Sequence, residues 1–241
     1  SANNNLIYDN YIYNNSVDAS DAATNNNWNT TYDCDSESIV EGCLGGNLWT
    51  DYYDQRNLTD RDGDGIGDDE LPVDSSYARV SGNVQDYYPL AVIRCGDELI
   101  GDATIATLNN LDNCTVSSAL TVKADYVDLD CEVDIVGTGA GYGLHIDNVN
   151  STTVDKCYFD NFSTGIYVNN SDYTNVTQSI FLNNDLGINV SSGSEDGWFF
   201  ENYFNNTNDN NAYDLGQNIW NNSIVGNFWS DYSEEDYVQN A

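Results

Sequence analysis

The chain has 241 residues, with 40 Asp and Glu against 6 Lys and Arg, and a net charge of −34. That balance excludes nucleic acid and anionic membrane surfaces as partners, since both need a basic footprint. No stretch reaches the ~18 apolar residues of a membrane span, so direct membrane insertion is not expected. Cations are the expected partners, and several bound ions or a salty medium must relieve the self-repulsion. No basic, apolar leader opens the chain, so Ser1 is expected to follow a processing cut or to mark an excised repeat, with any anchor elsewhere.

In chain order the first segment, residues 1–53, is a copy of the far end. DNYIYNN (9–15) matches ENYFNNT (201–207), NWNTT (27–31) matches IWNNS (219–223), and GNLWTDY (46–52) matches GNFWSDY (226–232). Trp28 lies 192 residues before Trp220 and Trp49 lies 180 before Trp229, so the first copy carries a 12-residue insertion around YDCDSESIVEGC. Residues 1–53 are therefore expected to be the last rungs and closing turn of one module, with Trp49 and Trp229 capping the ends.

Residues 54–94 form an acidic connector. In DRDGDGIGDDE (60–70), Asp60, Asp62 and Asp64 take positions 1, 3 and 5 of an EF-hand-like loop. Gly65 stands where the loop turns sharply, Ile66 offers a backbone carbonyl at position 7, and Asp68 falls at position 9. Position 12 is Leu71 rather than Glu, so Asp69 or Glu70 must close the shell. Such alternating oxygens suit Ca2+, a hard cation wanting six to eight of them, with an expected Kd of about 10⁻⁴–10⁻³ M. Bound calcium is expected to lock the joint between the flanking modules.

Residues 95–241 repeat themselves. Gly143, Gly165 and Gly187 are spaced by 22 residues, as are Val154, Val176 and Trp198, and Phe159, Phe181 and Tyr203. Within each unit apolar and polar residues alternate, as in VDLDCEVDIVG (127–137), which is the strand period of two. One such unit cannot bury its inner face, but stacked units can. The expected fold is all-β, a right-handed parallel β-helix with ~22-residue rungs. Asparagine pairs at 169–170 and 183–184 are expected to stack in ladders at equivalent corners.

Cys34, Cys43, Cys95, Cys114, Cys131 and Cys157 form no CxxC, and His145 is the single histidine. Three disulfides in an oxidising compartment fit better than zinc. Chain proximity suggests Cys34–Cys43, Cys95–Cys114 and Cys131–Cys157, out of 15 pairings that six cysteines allow. Eleven sequons begin at Asn14, Asn29, Asn57, Asn113, Asn150, Asn161, Asn169, Asn175, Asn189, Asn205 and Asn221. They predict N-linked glycans on a secreted chain.

GGNLWTDYYDQRNLTDRDGDGIGDDELPVD, GNVQDYYPL (82–90) and LDCEVDIVGTGAGYGLHIDN (129–148) together resemble archaeal surface proteins with right-handed β-helix repeats. These are the NosD-like, carbohydrate-binding and sugar-hydrolase-like repeat proteins. The resemblance implies an extracellular, cell-surface β-helix with calcium. Copper delivery, the task of the namesake proteins, is not expected, because the chain has no Met and one His. No carboxylate pair stands out for hydrolysis, and His145 sits between apolar strand residues, so the chain is not expected to be an enzyme. The expected function is structural: a subunit or repeat of a filament, sheath or surface layer, polymerised by end-to-end stacking of identical chains. A carbohydrate-binding or adhesion module is the alternative, and a polysaccharide-degrading enzyme ranks below it.

Overall fold

The computed structural model describes residues 2–12, 15, 17–31, 33–38, 43–49, 61, 64, 66–67, 73–74, 80–87, 90–105, 111–207 and 211–231. The chain divides into two compact units, Ser1–Ile93 with Ala106–Asn109, and Arg94–Ile105 with Asn110–Ala241. Among the described residues there is no α-helix.

The first unit is built from short strands: β1 (Tyr11–Ile12), β2 (Ala19–Asp21), β3 (Asp33–Glu37), β4 (Cys43–Leu44), β5 (Leu48–Trp49) and β6 (Val80–Gly82). β1 pairs with β5 and β2 with β6, both parallel. β3 and β4 form an antiparallel hairpin inside the 12-residue insertion, and the Cys34–Cys43 disulfide joins its arms.

The second unit is a parallel β-solenoid. It comprises β7 (Asp97–Leu99), β8 (Ala103–Ile105), β9 (Ser118–Val122), β10 (Asp128–Cys131), β11 (Asp134–Val136), β12 (Tyr142–Asp147), β13 (Thr153–Asp155), β14 (Tyr158–Asp160), β15 (Thr164–Asn169), β16 (Asn175–Thr177), β17 (Ile180–Leu182), β18 (Leu186–Val190), β19 (Trp198–Phe200), β20 (Tyr203–Asn205), β21 (Ala212–Asp214) and β22 (Phe228–Trp229). The coil makes about five turns, and three parallel sheets line it, in the orders β21-β18-β15-β12-β9-β7, β19-β16-β13-β10-β8 and β11-β14-β17-β20-β22. Disulfides Cys95–Cys114 and Cys131–Cys157 lie within this unit.

Alternation turns every second residue inward, and parallel register stacks like on like. Leu129, Val154, Val176 and Phe199 form one column, and Ile135, Phe159, Phe181 and Phe204 another. Seven of these eight are fully buried and Leu129 is 1 % exposed. The stacked rings of Phe159, Phe181 and Phe204 lie 5.4 and 4.9 Å apart. Each buried side chain of this kind contributes about 1.5–3 kcal/mol.

The glycine period has a steric cause. A Cβ on Gly143 would stand 2.7 Å from the carbonyl oxygen of Gly165, and one on Gly165 2.6 Å from that of Gly187. Corners fall where the backbone turns left-handed, at Lys156, Gln178 and Glu201 on one edge and Asn161 and Asn183 on another.

Two expectations need correction. The step is 22 residues from β12 to β18, where Leu144 pairs with Ile166 and Ile166 with Ile188. The rungs before it are longer, Ile135 pairing with Phe159 and Leu129 with Val154, and after it β16 pairs Val176 with Phe199 and β17 pairs Phe181 with Phe204, a step of 23. One extra residue before β19 moves Trp198 and Tyr203 out of the core column. They are 42 % and 38 % exposed, while Phe199 and Phe204 are buried, as a one-residue slip of a period-two strand demands. The asparagine pairs do not share a corner either. Asn169 and Asn170 bond back to Asp147 and Asn148 at the end of β15. Asn183 and Asn184 sit after β17, where Asn184 Nδ2 donates to Asn206 Oδ1 at 2.9 Å and Asn206 Nδ2 to Asn211 Oδ1 at 3.1 Å.

Candidate functional site

Two terminal rungs, one per unit, are the same device built twice. In the first, Asp21 closes β2 and its carboxylate accepts from Trp28 Nε1 at 3.1 Å, Ala23 N at 2.8 Å and Asn26 Nδ2. In the second, Asp214 closes β21 and accepts from Trp220 Nε1, Gly216 N and Asn218 Nδ2 at 2.8, 2.8 and 2.9 Å. Asn47 Nδ2 donates to the carbonyls of Ile7 and Trp28, and Asn227 Nδ2 to those of Phe199 and Trp220. The paired indoles match as well, Trp28–Trp49 at 5.9 Å and 41°, Trp220–Trp229 at 5.8 Å and 42°. The Trp28 bond, reinforced by Ala23 N–H, holds the Asp21 carboxyl below its ordinary value of 3.8.

The rungs differ in what lies over them. In the first unit β6 runs along β2, and Asp86 is fully buried beneath the turn. Asp86 Oδ2 accepts from Asn47 N at 2.7 Å and Trp49 Nε1 at 2.8 Å. Leu48 and Trp49 are 2 % and 1 % exposed, and Val73 and Val84 pack against Trp49. In the second unit β21 pairs with β18 alone among the described residues, and Phe228, the counterpart of Leu48, is 57 % exposed.

Of the expected calcium ligands, Asp64 and Ile66 are described. Asp64 Oδ1 accepts from Ile66 N at 2.7 Å, its carbonyl accepts from Cys43 N, and Ile66 is buried with Cys43, Leu48 and Leu90. Asp60, Asp62, Asp68 and Glu70 lie outside the described residues. Of the sequon asparagines, Asn14 and Asn57 lie outside them too. Asn113, Asn150, Asn161, Asn205 and Asn221 are exposed, and Asn29, Asn169, Asn175 and Asn189 are half-buried.

The histidine belongs to a cluster on the outer face of the six-stranded sheet. Lys123 Nζ bonds Asp147 Oδ2 at 2.9 Å, and the His145 ring stacks on Tyr167 at 5.2 Å with Tyr142 5.4 Å away. Burial pushes the His145 pKa down against the pull of Asp147, and the Lys123 bond lowers that of Asp147. Nothing about this arrangement activates a nucleophile or pairs two carboxylates.

Sequence reasoning found the tryptophans and missed Asp21, Asp86 and Asp214. Among 40 acidic residues no pattern marks these three. The similar spacing from Asp21 to Trp28 and Asp214 to Trp220, seven and six residues, was the one available signal.

Comparison with known proteins gives one match. A family model described as periplasmic copper-binding protein (NosD) covers residues 1–53 and 70–234. No curated protein and no solved structure matches the chain. The donor set does not fit copper: the chain has no Met, all six cysteines are in disulfides, and His145 is the single imidazole, half-buried against tyrosine. The family's periplasmic description and the three disulfides agree on a place outside the cytoplasm.

Proposed function

The chain belongs to the NosD family, and on that premise we propose that it is a non-enzymatic structural protein of the cell surface. It serves as a subunit or repeat of an extracellular filament, sheath or layer, added head to tail, stabilised by calcium in the acidic loop and covered by N-linked glycans. The observation that carries this reading is the repetition of one terminal rung in both units, with β21 paired on one side among the described residues. A rung that ends a solenoid leaves backbone donors and acceptors on its edge, and a heterologous contact that covers them propagates.

The mechanism is mechanical. Stacked rungs bury a continuous core, and disulfides restrict the unfolded chain. Calcium at Asp60, Asp62, Asp64, Ile66, Asp68 and Glu70 would neutralise part of the charge and order the connector. Negative-stain electron microscopy of native material, in calcium and after chelation, tests it. Regular filaments or sheets that loosen on chelation are expected. Dispersed particles in both conditions would overturn the assembly. Asp62→Ala should make residues 54–90 protease-sensitive, and unchanged resistance would count against the calcium site.

One observation favours a second reading, carbohydrate binding. A polar groove of about 480 Å3 in the first unit is lined by Asn26, Asn29, Asn83, Gln85 and exposed Tyr87. Tyr203 and Phe228 also stack at 4.9 Å and 3° on the outer surface of the second unit. Binding on a glycan array, with no polymers in the microscope, would favour it.

A further inference from the structure

The covered rung shows what the second one lacks among the described residues. In the first unit the segment Val80–Tyr87 does three things. Val80–Gly82 pairs in parallel with Ala19–Asp21, Val84 packs on Trp49, and the Asp86 carboxylate takes the Asn47 and Trp49 N–H groups. Asn83 fastens the turn by donating to the carbonyls of Asp21 and Ala23.

Every receiving feature recurs in the second unit. β21 stands in for β2, Trp229 for Trp49 and Asn227 for Asn47. Among the described residues, β21 has no strand on its outer edge, and neither Trp229 Nε1 nor Asn227 N has a hydrogen-bond partner. The glycine before the asparagine is a second, independent sign. A Cβ on Gly46 would collide with the Asp86 carboxylate, so that glycine makes room for the acid. Gly226 keeps the same room, with nothing among the described residues nearer than Asn221 Cβ at 3.9 Å. Tyr213 on β21, Leu215 just after it and Val225 just before Gly226 are 53 %, 55 % and 42 % exposed.

We propose that the end of the second unit is a docking site for an extended segment with the chemistry of Val80–Tyr87, supplied by a partner polypeptide. The segment adds a strand to β21 and buries one aspartate against Trp229 and Asn227. The occupant is not this chain's own Val80–Tyr87, because the first unit holds it. An exchange of that segment between copies fills one rung by emptying another. The inference rests on the end-to-end reading in one respect, that chain is added at this rung, and it names what is added.

The test uses the full chain and a synthetic peptide of residues 80–87, in about 1 M salt, where screening over ~3 Å suppresses the repulsion between two acids. NMR follows the Trp229 indole and Asn227 amide protons. Both are expected to shift on titration. An Asp86→Asn peptide should bind at least about tenfold more weakly, because it loses a charge-assisted acceptor. The protein variant Gly226→Ala, whose methyl enters the acid's place and among the described residues meets only Asn221 Cβ, at an ordinary contact distance of 3.9 Å, should keep its native spectrum and lose at least about tenfold in binding. To offset the ordering entropy of a short peptide, the same segment is also linked flexibly after Ala241, giving an effective concentration on the order of 1 mM. Unshifted Trp229 and Asn227 signals in the linked protein would overturn the proposal. So would equal binding by the Asn peptide or by Gly226→Ala. Filaments in the microscope without peptide docking would leave assembly standing and remove this site, while docking without filaments would do the reverse.

Discussion

The first terminal rung and the second share their strands, their Asp–Trp bond, their bridging asparagine and their pair of tilted indoles. One is buried beneath Val73 and Val80–Tyr87, and the other, among the described residues, presents Phe228 and the edge of β21. The comparison separates two jobs that a solenoid end must do. Closing the last turn is local work, done by Asp21 or Asp214 and by Asn47 or Asn227, and it succeeds with or without a cover. Satisfying the edge is not local. In the first unit it takes a strand, two valines and a buried carboxylate that arrive from beyond the closing turn, between Val73 and Asp86.

The largest expected effect separates the covered rung from the bare one. Asp86→Ala strands two buried donors, at about 1–3 kcal/mol each, so the first unit should lose about 4 kcal/mol while the second unfolds at its old midpoint. Separate denaturant transitions followed by exchange of amides in each unit would read this. A common loss would mean that the two units are not independent.

Removing the staple of the insertion comes next. Replacing Cys34 and Cys43 by Ser opens a loop with a sequence separation of 9, which the chain-entropy relation values at roughly 2–3 kcal/mol. The loss should again appear in the first unit alone, because the second copy has no such hairpin.

A smaller change should treat the rungs alike. Trp28→Phe and Trp220→Phe each remove one indole donor from a carboxylate, Asp21 or Asp214. Each should cost about 1–2 kcal/mol. If the first costs several times the second, the covering segment stiffens the turn it sits on.

Acid gives the smallest and most local effect. Asp21 titrates below its ordinary value, so the folded rung holds that proton less tightly than the unfolded chain does. Its stabilisation is complete above pH 3.8 and is lost as the pH falls through the lowered folded value. The Trp28 indole proton should move in that window, and a midpoint above 3.8 would contradict the bond.

Much of this was legible in the residues. Gly143, Gly165 and Gly187 announced the rung because rung backbones approach too closely for a Cβ. The indoles announced the repeated end because the short motifs around each one recur, although the 12-residue insertion changes the spacing between them. The register beyond β18 was not legible. Trp198 and Phe199 are both aromatic, so one inserted residue left the apolar pattern readable in either phase, and burial of neighbouring columns decided between them. Asp86 was hidden for a different reason, since a buried carboxylate and a solvated one look the same in a chain this acidic.

By itself the sequence determined the parallel stacking of short strands, the pairing of neighbouring cysteines in space and the likeness of the two ends. Those follow from period and proximity, which are properties of a line of residues. The tertiary structure alone decided which aspartates are buried, which aromatic rings enter the core after the extra residue, and that one of two equal rungs is covered. Those depend on groups far apart in the chain meeting where water is excluded, and there a single hydrogen bond or a single Cβ is enough to fix the outcome.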